Sequence, residues 1–341
     1  MSLDGAFREA WEKVLESVLM YRRGLQTGLE FSRSISPEKY RKILIMGVGG
    51  SGVVGDIVAS LKDPASAVRV ETVRSFKVPA DTSEDTLAVA VSYSGETTET
   101  SWALIDALTK RATVVGISSG GRLTKAMKKQ GLDVLPVTPG LQPRYAVPEM
   151  VGLVYGMLSS LSGFSERYLL QAVEDLDSFA RKFQDPTENE AFEMASSLTD
   201  KPVVALGPDY LSAVLTRLKA QFNENAKHPC YVVTAPEAFH NEIEGWTMAD
   251  KFSYVIVRSE YEGPMVSEAL DWCEKRLKSF KANVHRLHFS SPTIQSEILK
   301  QIFFVDLLSI GLARHKKVDP IGLTNIPILR PLLRKYFPST L

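Results

Sequence analysis

Hydroxyl side chains crowd into one short segment of the sequence, residues 92–100, which reads Ser-Tyr-Ser-Gly-Glu-Thr-Thr-Glu-Thr. The segment follows an apolar run and precedes a stretch of helical period, and Ser92, Ser94, Thr97 and Thr98 surround its glycine. Hydroxyl groups and the free N–H groups of a helix start can together hold a phosphate without a metal or a lysine. An ordinary helix N-cap needs one hydroxyl, so this cluster favours an anion-binding loop over a plain cap.

A glycine-rich turn, residues 47–52, lies at the end of an earlier apolar run and reads Gly-Val-Gly-Gly-Ser-Gly. Its glycines allow the backbone to approach a ligand closely. Gly47, Gly49 and Gly52 also fit the GxGxxG spacing of dinucleotide-binding folds, which places an acidic residue at the end of the next strand. Glu71 lies in the middle of that strand instead. A generic tight turn and a nicotinamide-dependent oxidoreductase both stay open at this point.

The hydroxyl segment resembles the phosphate loop of the sugar isomerase (SIS) domain family, which has the pattern Ser-x-Ser-Gly-x-Thr after a parallel strand. Within that family, the sequence from about residue 40 onward is similar to the two-domain bifunctional phosphoglucose/phosphomannose isomerases. Four further segments carry this resemblance in order, namely residues 49–52, 143–146, 223–227 and 240–246. The resemblance implies that Gly50, Ser51, Ser92, Ser94 and Thr97 bind the phosphate of a phosphorylated hexose.

The resemblance also implies a catalytic base, Glu224, in the segment Asn-Glu-Asn-Ala-Lys. Isomerising an aldose phosphate to a ketose phosphate requires a base that moves a proton between C1 and C2 through a cis-enediolate. Glu224 lies near the end of a predicted helix, where the helix dipole disfavours an anion and therefore favours proton uptake. Without the segment around it, a solvated glutamate at a helix end would be the simpler interpretation.

Two further roles follow from the resemblance. His240 matches the residue that opens the sugar ring, and in similar enzymes this histidine comes from the partner subunit, which implies a homodimer with composite active sites. Arg144 matches the arginine beside the enediolate, where a permanent cation stabilises developing charge. Taken alone, His240 could be a surface residue, and Arg144 could start a helix after Pro143.

The sequence departs from the family near its C-terminus. Related enzymes carry a lysine that assists ring opening, and here the segment 326–330 places Arg330 at that position. Arginine keeps the positive charge but does not easily lose its proton. The resemblance therefore implies that Arg330 holds the ring oxygen and that His240 transfers the proton.

Short apolar runs alternate with stretches of helical period, a pattern typical of parallel sheets covered by helices. The fold class predicted is α/β, with two doubly wound parallel-sheet (SIS, flavodoxin-like) domains. We expect the boundary near residue 165, which gives an N-terminal domain of 1–164 with the phosphate loop and a C-terminal domain of 165–341 with the base and histidine. The predicted strands are 42–48, 68–73, 86–92, 112–118, 133–137, 202–207, 231–234, 252–258 and 284–289. The predicted helices are 7–25, 52–62, 97–110, 123–130, 165–183, 210–225, 239–246, 267–281 and 294–315.

Composition narrows the classes of function. Forty basic residues balance forty acidic ones over 341 residues, so there is no overall field to attract nucleic acid or a membrane surface. Apolar runs fall short of the roughly 20 residues that span a bilayer, and the two cysteines lack CxxC spacing. We expect a cytoplasmic enzyme with no cofactor. The histidines and Asp306 lack the spacing of a metal site, so no metal is expected.

The resemblance therefore implies an isomerase that interconverts glucose 6-phosphate and mannose 6-phosphate with fructose 6-phosphate. The alternative from another class is a non-catalytic phosphosugar sensor, because the same loop occurs in regulators that only bind sugar phosphates. Such a sensor usually carries a DNA-binding segment, and residues 1–40 lack a basic helix-turn-helix pattern.

Overall fold

Two parallel β-sheets organise the chain, and each belongs to a compact unit of its own. The structure is a computed structural model and describes residues 2–36 and 38–339. One unit comprises Ser17–Leu170 and Leu323–Leu341, and the other comprises Met1–Glu16 and Gln171–Gly322. We call them the sheet A unit and the sheet B unit.

Sheet A contains five strands in the order β2-β1-β3-β4-β5, all parallel. Its strands are β1 (Lys42–Met46), β2 (Arg69–Val73), β3 (Thr86–Val91), β4 (Thr113–Ser118) and β5 (Val134–Pro136). Strands β1 and β3 are buried along their whole length, because helices cover both faces of the sheet.

Sheet B contains four strands in the order β7-β6-β8-β9, again all parallel. Its strands are β6 (Val203–Pro208), β7 (Cys230–Ala235), β8 (Ser253–Val257) and β9 (Asn283–Leu287). Strands β6 and β8 form the buried centre, and β7 lies at an edge.

The α-helices fill the connections between strands. In chain order they are α1 (Leu3–Leu15), α2 (Ser17–Ser32), α3 (Gly50–Leu61), α4 (Thr98–Thr109), α5 (Gly121–Lys129), α6 (Val147–Met157), α7 (Glu166–Ala180), α8 (Glu190–Ser196), α9 (Ser212–Glu224), α10 (Pro264–Ser279), α11 (Ile294–His315) and α12 (Asn325–Arg334). Short 3₁₀ segments occupy Arg181–Phe183, Asp209–Leu211, Glu237–His240 and Glu242–Lys251.

The doubly wound α/β architecture predicted from the sequence is confirmed, with each predicted strand present within two residues at either end. Two predicted helices are wrong in detail. The opening helix is two helices, α1 and α2, which belong to different units. The predicted helix 239–246 is 3₁₀ structure, in which Met248 leaves helical geometry at φ −113° and ψ 23°.

The compact units follow the chain less simply than the predicted domains 1–164 and 165–341. The cut near the middle of the chain falls after Leu170, inside α7. Residues 2–16 belong with the later half of the sequence, and the segment from Leu323 belongs with the earlier half. A single cut in the sequence cannot describe this arrangement.

Interlocked glycines pack α2 against α6 in the sheet A unit. A Cβ atom added to Gly24 would lie 2.0 Å from the Glu149 carbonyl oxygen, and one added to Gly152 would lie 2.3 Å from that of Tyr21. Gly28 and Gly156 repeat the contact four residues further along each helix, on the same face. Backbone therefore touches backbone, and the start of α6 is fixed beside sheet A.

Candidate active site

The order of sheet A creates a crevice at its carboxyl edge. The chain passes from β1 through α3 to β2 on one side, and then crosses to β3 on the other side of β1. Loops diverge at such a switch point, and open α/β sheets bind ligands there. The glycine-rich turn follows β1 and the hydroxyl segment follows β3, so both predicted phosphate-binding motifs meet at this crevice.

Hydrogen bonds join the two motifs directly. The Tyr93 N–H donates to the Ser51 Oγ at 3.3 Å, and the Glu96 N–H donates to the Ser94 Oγ at the same distance. In both bonds the hydroxyl oxygen accepts, which leaves its O–H hydrogen able to donate to an anion. Ser92 Oγ and Thr97 Oγ1 lie 2.9 Å apart.

Thr97 occupies the N-cap position of α4 without capping the helix through its side chain. Its hydroxyl is paired with that of Ser92 instead. The plain-cap interpretation therefore fails at this residue, since a capping hydroxyl would accept from an N–H of the first turn. The first N–H groups of α3 and α4 have no partner within their own helices, and both helix dipoles favour an anion near these helix starts.

Two glycines with positive φ hold the hydroxyl loop against the loop that follows β4. Gly95 has φ +62°, and a Cβ on it would lie 1.8 Å from the Gly120 carbonyl oxygen. Gly121 has φ +81°, and a Cβ on it would lie 2.2 Å from the Ser94 carbonyl oxygen. Any side chain would force these loops apart, so glycine is required at both positions.

The loop's own carboxylate is neutralised by an arginine on α5. Glu96 accepts from the Arg122 backbone N–H at 2.9 Å and from the Arg122 Nε at 2.8 Å. A free carboxylate beside the hydroxyl groups would repel a phosphate. The pairing thus keeps an acidic residue in the loop compatible with anion binding.

Arg144 lies next to the first motif. A Cβ on Gly50 would be 3.3 Å from the Pro143 carbonyl and 3.4 Å from the Arg144 nitrogen, so the two backbones are in close contact. Helix α6 begins only at Val147, which places Arg144 in the preceding turn, and the alternative interpretation as a helix-start residue is wrong. Its side chain is 2% exposed, with the guanidinium carbon 5.2 Å from the centroid of the Tyr145 ring.

Tyr93 is a connecting residue that the sequence interpretation missed. Its hydroxyl donates to the Thr138 carbonyl at 3.0 Å and accepts from the Leu141 N–H at 2.7 Å. Burial raises the pKa of this hydroxyl. Tyr93 therefore ties the hydroxyl loop to the segment that leads to Arg144. The position of Tyr93 between Ser92 and Ser94 was the feature of the sequence that could have identified it.

Arg330 lies on α12, in the same unit as the hydroxyl loop. The helix has no buried residue, and Arg330 is exposed. The C-terminal end of α12 is attached beside the hydroxyl loop. The Thr98 hydroxyl donates to the Leu333 carbonyl at 2.9 Å, and the Trp102 indole N–H donates to the Tyr336 carbonyl at 2.8 Å. Arg330 is thus carried on a helix anchored to the phosphate-loop segment.

Glu224 belongs to the sheet B unit and is the last residue of α9. The turn after it is closely fixed: Lys227, at φ +49°, donates from its Nζ to the Glu224 carbonyl at 3.0 Å and also to the Asp319 carbonyl. The His228 N–H donates back to the Phe222 carbonyl at 3.0 Å. The side chain of Glu224 is half-buried.

His240 belongs to the same unit but lies at the other end of sheet B. It ends the 3₁₀ segment that follows β7, and its side chain is exposed. Trp246, further along the same motif, is buried and packs within 6.4 Å of Trp272 and 6.3 Å of Tyr254, as ring centroids. Trp246 is therefore a packing residue.

Glu224 and His240 do not meet within one unit. Glu224 precedes the amino end of β7 and His240 follows its carboxyl end. The five residue steps along β7 span roughly 17 Å at about 3.3 Å each. These two predicted catalytic residues therefore lie at opposite edges of sheet B.

At the carboxyl edge of sheet B, the chain after β8 carries a network of charged groups. Arg258 is buried and donates to Glu262 at 2.7 Å and also to Asp271. The Ser259 hydroxyl donates to the Glu297 carboxylate at 2.9 Å, and burial raises the pKa of Glu297 to about 7. No sequence motif marked this network, because its members come from separate segments.

Within residues 2–36 and 38–339, no three His, Cys, Asp or Glu side chains lie together in a way that could hold a metal ion. Of the helices described there, none combines the length and the apolar character needed to cross a bilayer. Glu71 sits in the middle of β2 opposite Leu44, and its carboxylate lies 3.4 Å from the Lys42 Nζ.

Comparison with known proteins first defines the class. Residues 187–333 match the family described as bacterial phospho-glucose isomerase C-terminal SIS domain. The whole fold is similar to the crystal structure of a hypothetical protein from Thermus thermophilus, with a TM-score of 0.78, 14% identity and coverage of 98% of this chain and 94% of that one. The chain is thus a protein of two SIS domains.

Curated relatives then define the family. A bifunctional phosphoglucose/phosphomannose isomerase from Thermoplasma volcanium is 30% identical over 90% of this chain and 96% of its own length. A D-glucosamine-6-phosphate 4-epimerase from Sulfolobus acidocaldarius is 33% identical over 85% of this chain and 88% of its own length. The chain belongs to the bifunctional phosphoglucose/phosphomannose isomerase family, and it is an enzyme of the isomerase class. The resemblance drawn from the motifs is confirmed, and the sensor and oxidoreductase interpretations are set aside.

Proposed function

We propose that this enzyme interconverts glucose 6-phosphate and mannose 6-phosphate with fructose 6-phosphate through a cis-enediolate. The observation that carries the proposal is the set of hydroxyl groups at the switch point of sheet A, where two helix starts converge. Hydroxyl and amide donors in this arrangement suit a phosphate that is bound and left unchanged, since neutral hydrogen-bond donors hold an anion in place.

In the proposed complex, Gly50, Ser51, Ser92, Ser94 and Thr97 hold the phosphate. Each hydroxyl group can offer one hydrogen, and the N–H groups that open α3 and α4 add further donors. The Glu96–Arg122 pair removes the nearest carboxylate from competition. The sugar carbons then extend away from sheet A.

The hydrogen transfer uses Glu224 and Arg144. Glu224 removes the proton from C2 of the open-chain aldose, and the electron pair forms the C1–C2 double bond of the enediolate as the carbonyl oxygen gains charge. Arg144, always protonated, stabilises that charge. A proton then moves from the C2 hydroxyl to the oxygen on C1, and return of the first proton to C1 leaves the C2 carbonyl of the ketose. No electrons are gained or lost overall, so the reaction needs no redox cofactor. Delivery of a proton to either face of C2 in the reverse direction gives glucose 6-phosphate or mannose 6-phosphate.

Ring opening requires a second subunit in this proposal. Glu224 and His240 lie at opposite edges of sheet B, so one subunit's His240 completes the site of another in a homodimer. The surface around His240 supports docking of a second copy. Tyr231 and Met248 are exposed apolar residues beside a groove of about 670 Å³ that Trp246 also lines. Arg330 would hold the ring oxygen as a fixed cation.

The direct test is an activity assay with purified protein in the presence of EDTA. Glucose 6-phosphate, mannose 6-phosphate and fructose 6-phosphate are each supplied, and the products are separated by chromatography. Interconversion of all three supports the proposal. Turnover that needs added metal, or no turnover of any of the three, would contradict it.

Similarity to the 4-epimerase supports a second candidate, because that relative is 33% identical to this chain. Epimerisation at C4 of glucosamine 6-phosphate would leave the aldehyde carbon unchanged. The same assay should therefore include glucosamine 6-phosphate. A 4-epimer as the main product, with no ketose from glucose 6-phosphate, would favour the epimerase.

A further inference from the structure

A buried ion pair joins α9 to α11 inside the sheet B unit. Arg217 donates from Nε to Asp306 Oδ1 at 2.7 Å and from Nη2 to Asp306 Oδ2 at 2.8 Å. The side chains are 1% and 7% exposed. Two parallel hydrogen bonds between a planar guanidinium and a planar carboxylate fix both distance and orientation.

A second hydrogen bond ties the end of α9 to the same stretch of α11. The Asn225 amide donates to the Ser309 hydroxyl at 2.9 Å, and that hydroxyl donates to the Asp306 carbonyl at 2.6 Å. Asp306 and Ser309 are three residues apart and lie on one face of α11. Both contacts therefore reach the same turn of α11. Their residues on the α9 side, Arg217 and Asn225, lie before and after Glu224 in the sequence.

Glu224 shares a helix face with Arg217. The two residues are seven positions apart, which is close to two full turns of an α-helix. A helical side chain lies about 5–6 Å from the helix axis, so a rotation of α9 by about 10–20° would move the Glu224 carboxylate by about 1–2 Å. Displacements of this size are large for a base that must reach two neighbouring carbon atoms.

Stability alone does not account for the pair. A buried ion pair usually contributes no more to folding than apolar residues of similar volume, because both charges lose their hydration. Apolar side chains would hold the helices together but would not fix the rotation of α9, since dispersion contacts have no preferred direction. The ion pair supplies the directional contact that apolar packing lacks.

We propose that Arg217 and Asp306 are positioning residues that fix the orientation of Glu224 for proton transfer, with Ser309 as a second anchor. This inference rests on the proposed function. The residues act through α9 and not on the sugar. Their loss should therefore reduce kcat and leave KM for the phosphosugar nearly unchanged, because the phosphate is held on sheet A.

The decisive variant replaces both charges together, Arg217→Met with Asp306→Leu. We expect a thermal midpoint at or above that of the wild type, a kcat about tenfold to a hundredfold lower, and a KM within twofold. A variant that is equally stable and has the wild-type kcat would overturn the positioning role.

Ser309→Ala provides an independent measurement that introduces no buried charge. It should lower kcat by about threefold to tenfold at unchanged KM, and a wild-type kcat in this variant would also count against the proposal. If the double variant does not fold, the result with Ser309→Ala decides. Absence of turnover in the wild type itself would instead reject the proposed function, so the two failures are distinguishable.

Discussion

The carboxyl edges of the two sheets have the same topology and opposite chemistry. At the switch point of sheet A, glycines and neutral hydroxyl groups surround two helix starts. At the carboxyl edge of sheet B, Arg258 is held by Glu262 and Asp271, and Glu297 lies buried nearby. The same fold therefore carries neutral hydrogen-bond donors at one carboxyl edge and ion-paired side chains at the other. The topology of the sheet sets the position of the crevice, and the side chains around the crevice determine which ligands can bind there.

The comparison also assigns different tasks to the two sheets. In the proposed function, sheet A holds the anion at its carboxyl edge, whereas sheet B supplies Glu224 from a helix end near its amino edge and His240 from its carboxyl edge. The following predictions, from the largest expected effect to the smallest, test whether these tasks are separate.

Removing the central cation of the sheet B crevice should cost the most free energy. Arg258→Met leaves the buried Glu262 carboxylate without its partner, which should lower the free energy of unfolding by about 3–5 kcal/mol. Urea unfolding measures the loss. Arg286→Met is the matched control, because the Arg286 side chain is 46% exposed and its ion pair with Asp271 should contribute at most about 1 kcal/mol. Equal losses of unfolding free energy in the two variants would show that the buried ion pairs of Arg258 contribute no more to stability than an exposed ion pair does.

Glu224→Gln should reduce turnover by about a hundredfold or more, because it removes the proposed base and keeps the shape of the side chain. Binding of fructose 6-phosphate should stay within about twofold, since the proposal places the phosphate on sheet A. Steady-state kinetics and calorimetric titration measure the two quantities. Normal turnover in this variant would remove Glu224 from the mechanism.

Thr97→Val should raise KM about tenfold with a smaller change in kcat, because one donor to a charged group is lost. Thr109→Val is the control on the same helix, since the Thr109 hydroxyl donates only to the Ile105 carbonyl of its own helix and is exposed. If both variants behave like the wild type, the phosphate is bound elsewhere.

A further prediction concerns the pH dependence of stability caused by Glu297. Burial raises the pKa of this carboxyl from 4.5 to about 7, among the carboxylates of Glu260 and Glu262 and the Ser259 hydroxyl. Between pH 4.5 and about 7, the folded protein keeps a proton that the unfolded chain releases. Stability should therefore fall as pH rises through this window, by up to about 1.4 kcal/mol per pH unit for one proton.

Glu297→Gln should remove this part of the slope. Urea unfolding of wild type and variant at several pH values between 4.5 and 8 measures it. Parallel curves for the two proteins would mean that Glu297 does not take up the proton.

The sequence predicted the parts of the fold that depend on local patterns. Short apolar runs rich in valine, such as the segment of β3, favour buried strands, and the loops that follow parallel strands must lie at one edge of the sheet. The meeting of Ser51 with the hydroxyl loop follows from the same rule. Family resemblance, and not periodicity, supplied the roles of Glu224, His240 and Arg144.

The sequence could not predict features that depend on contacts between distant segments. Nothing near residue 16 indicates that α1 and α2 join different units, or that the segment from Leu323 packs with the earlier half. The partners of Arg258 and Asp306 lie on other elements and form no spaced motif. The apolar spacing of 239–246 suited an α-helix, but the segment is 3₁₀ and its turns follow different hydrogen bonds.

One titration tests the central claim that sheet A, and not sheet B, holds the phosphate. Fructose 6-phosphate is titrated into Glu224→Gln protein that carries either Ser94→Ala with Thr97→Val or the matched change Ser259→Ala in the sheet B crevice. We predict that Ser94→Ala with Thr97→Val raises the dissociation constant for fructose 6-phosphate at least tenfold. Ser259→Ala should leave that constant within twofold of its value in Glu224→Gln alone. Unchanged affinity in the sheet A variant, or an equal loss in the sheet B variant, would contradict the account.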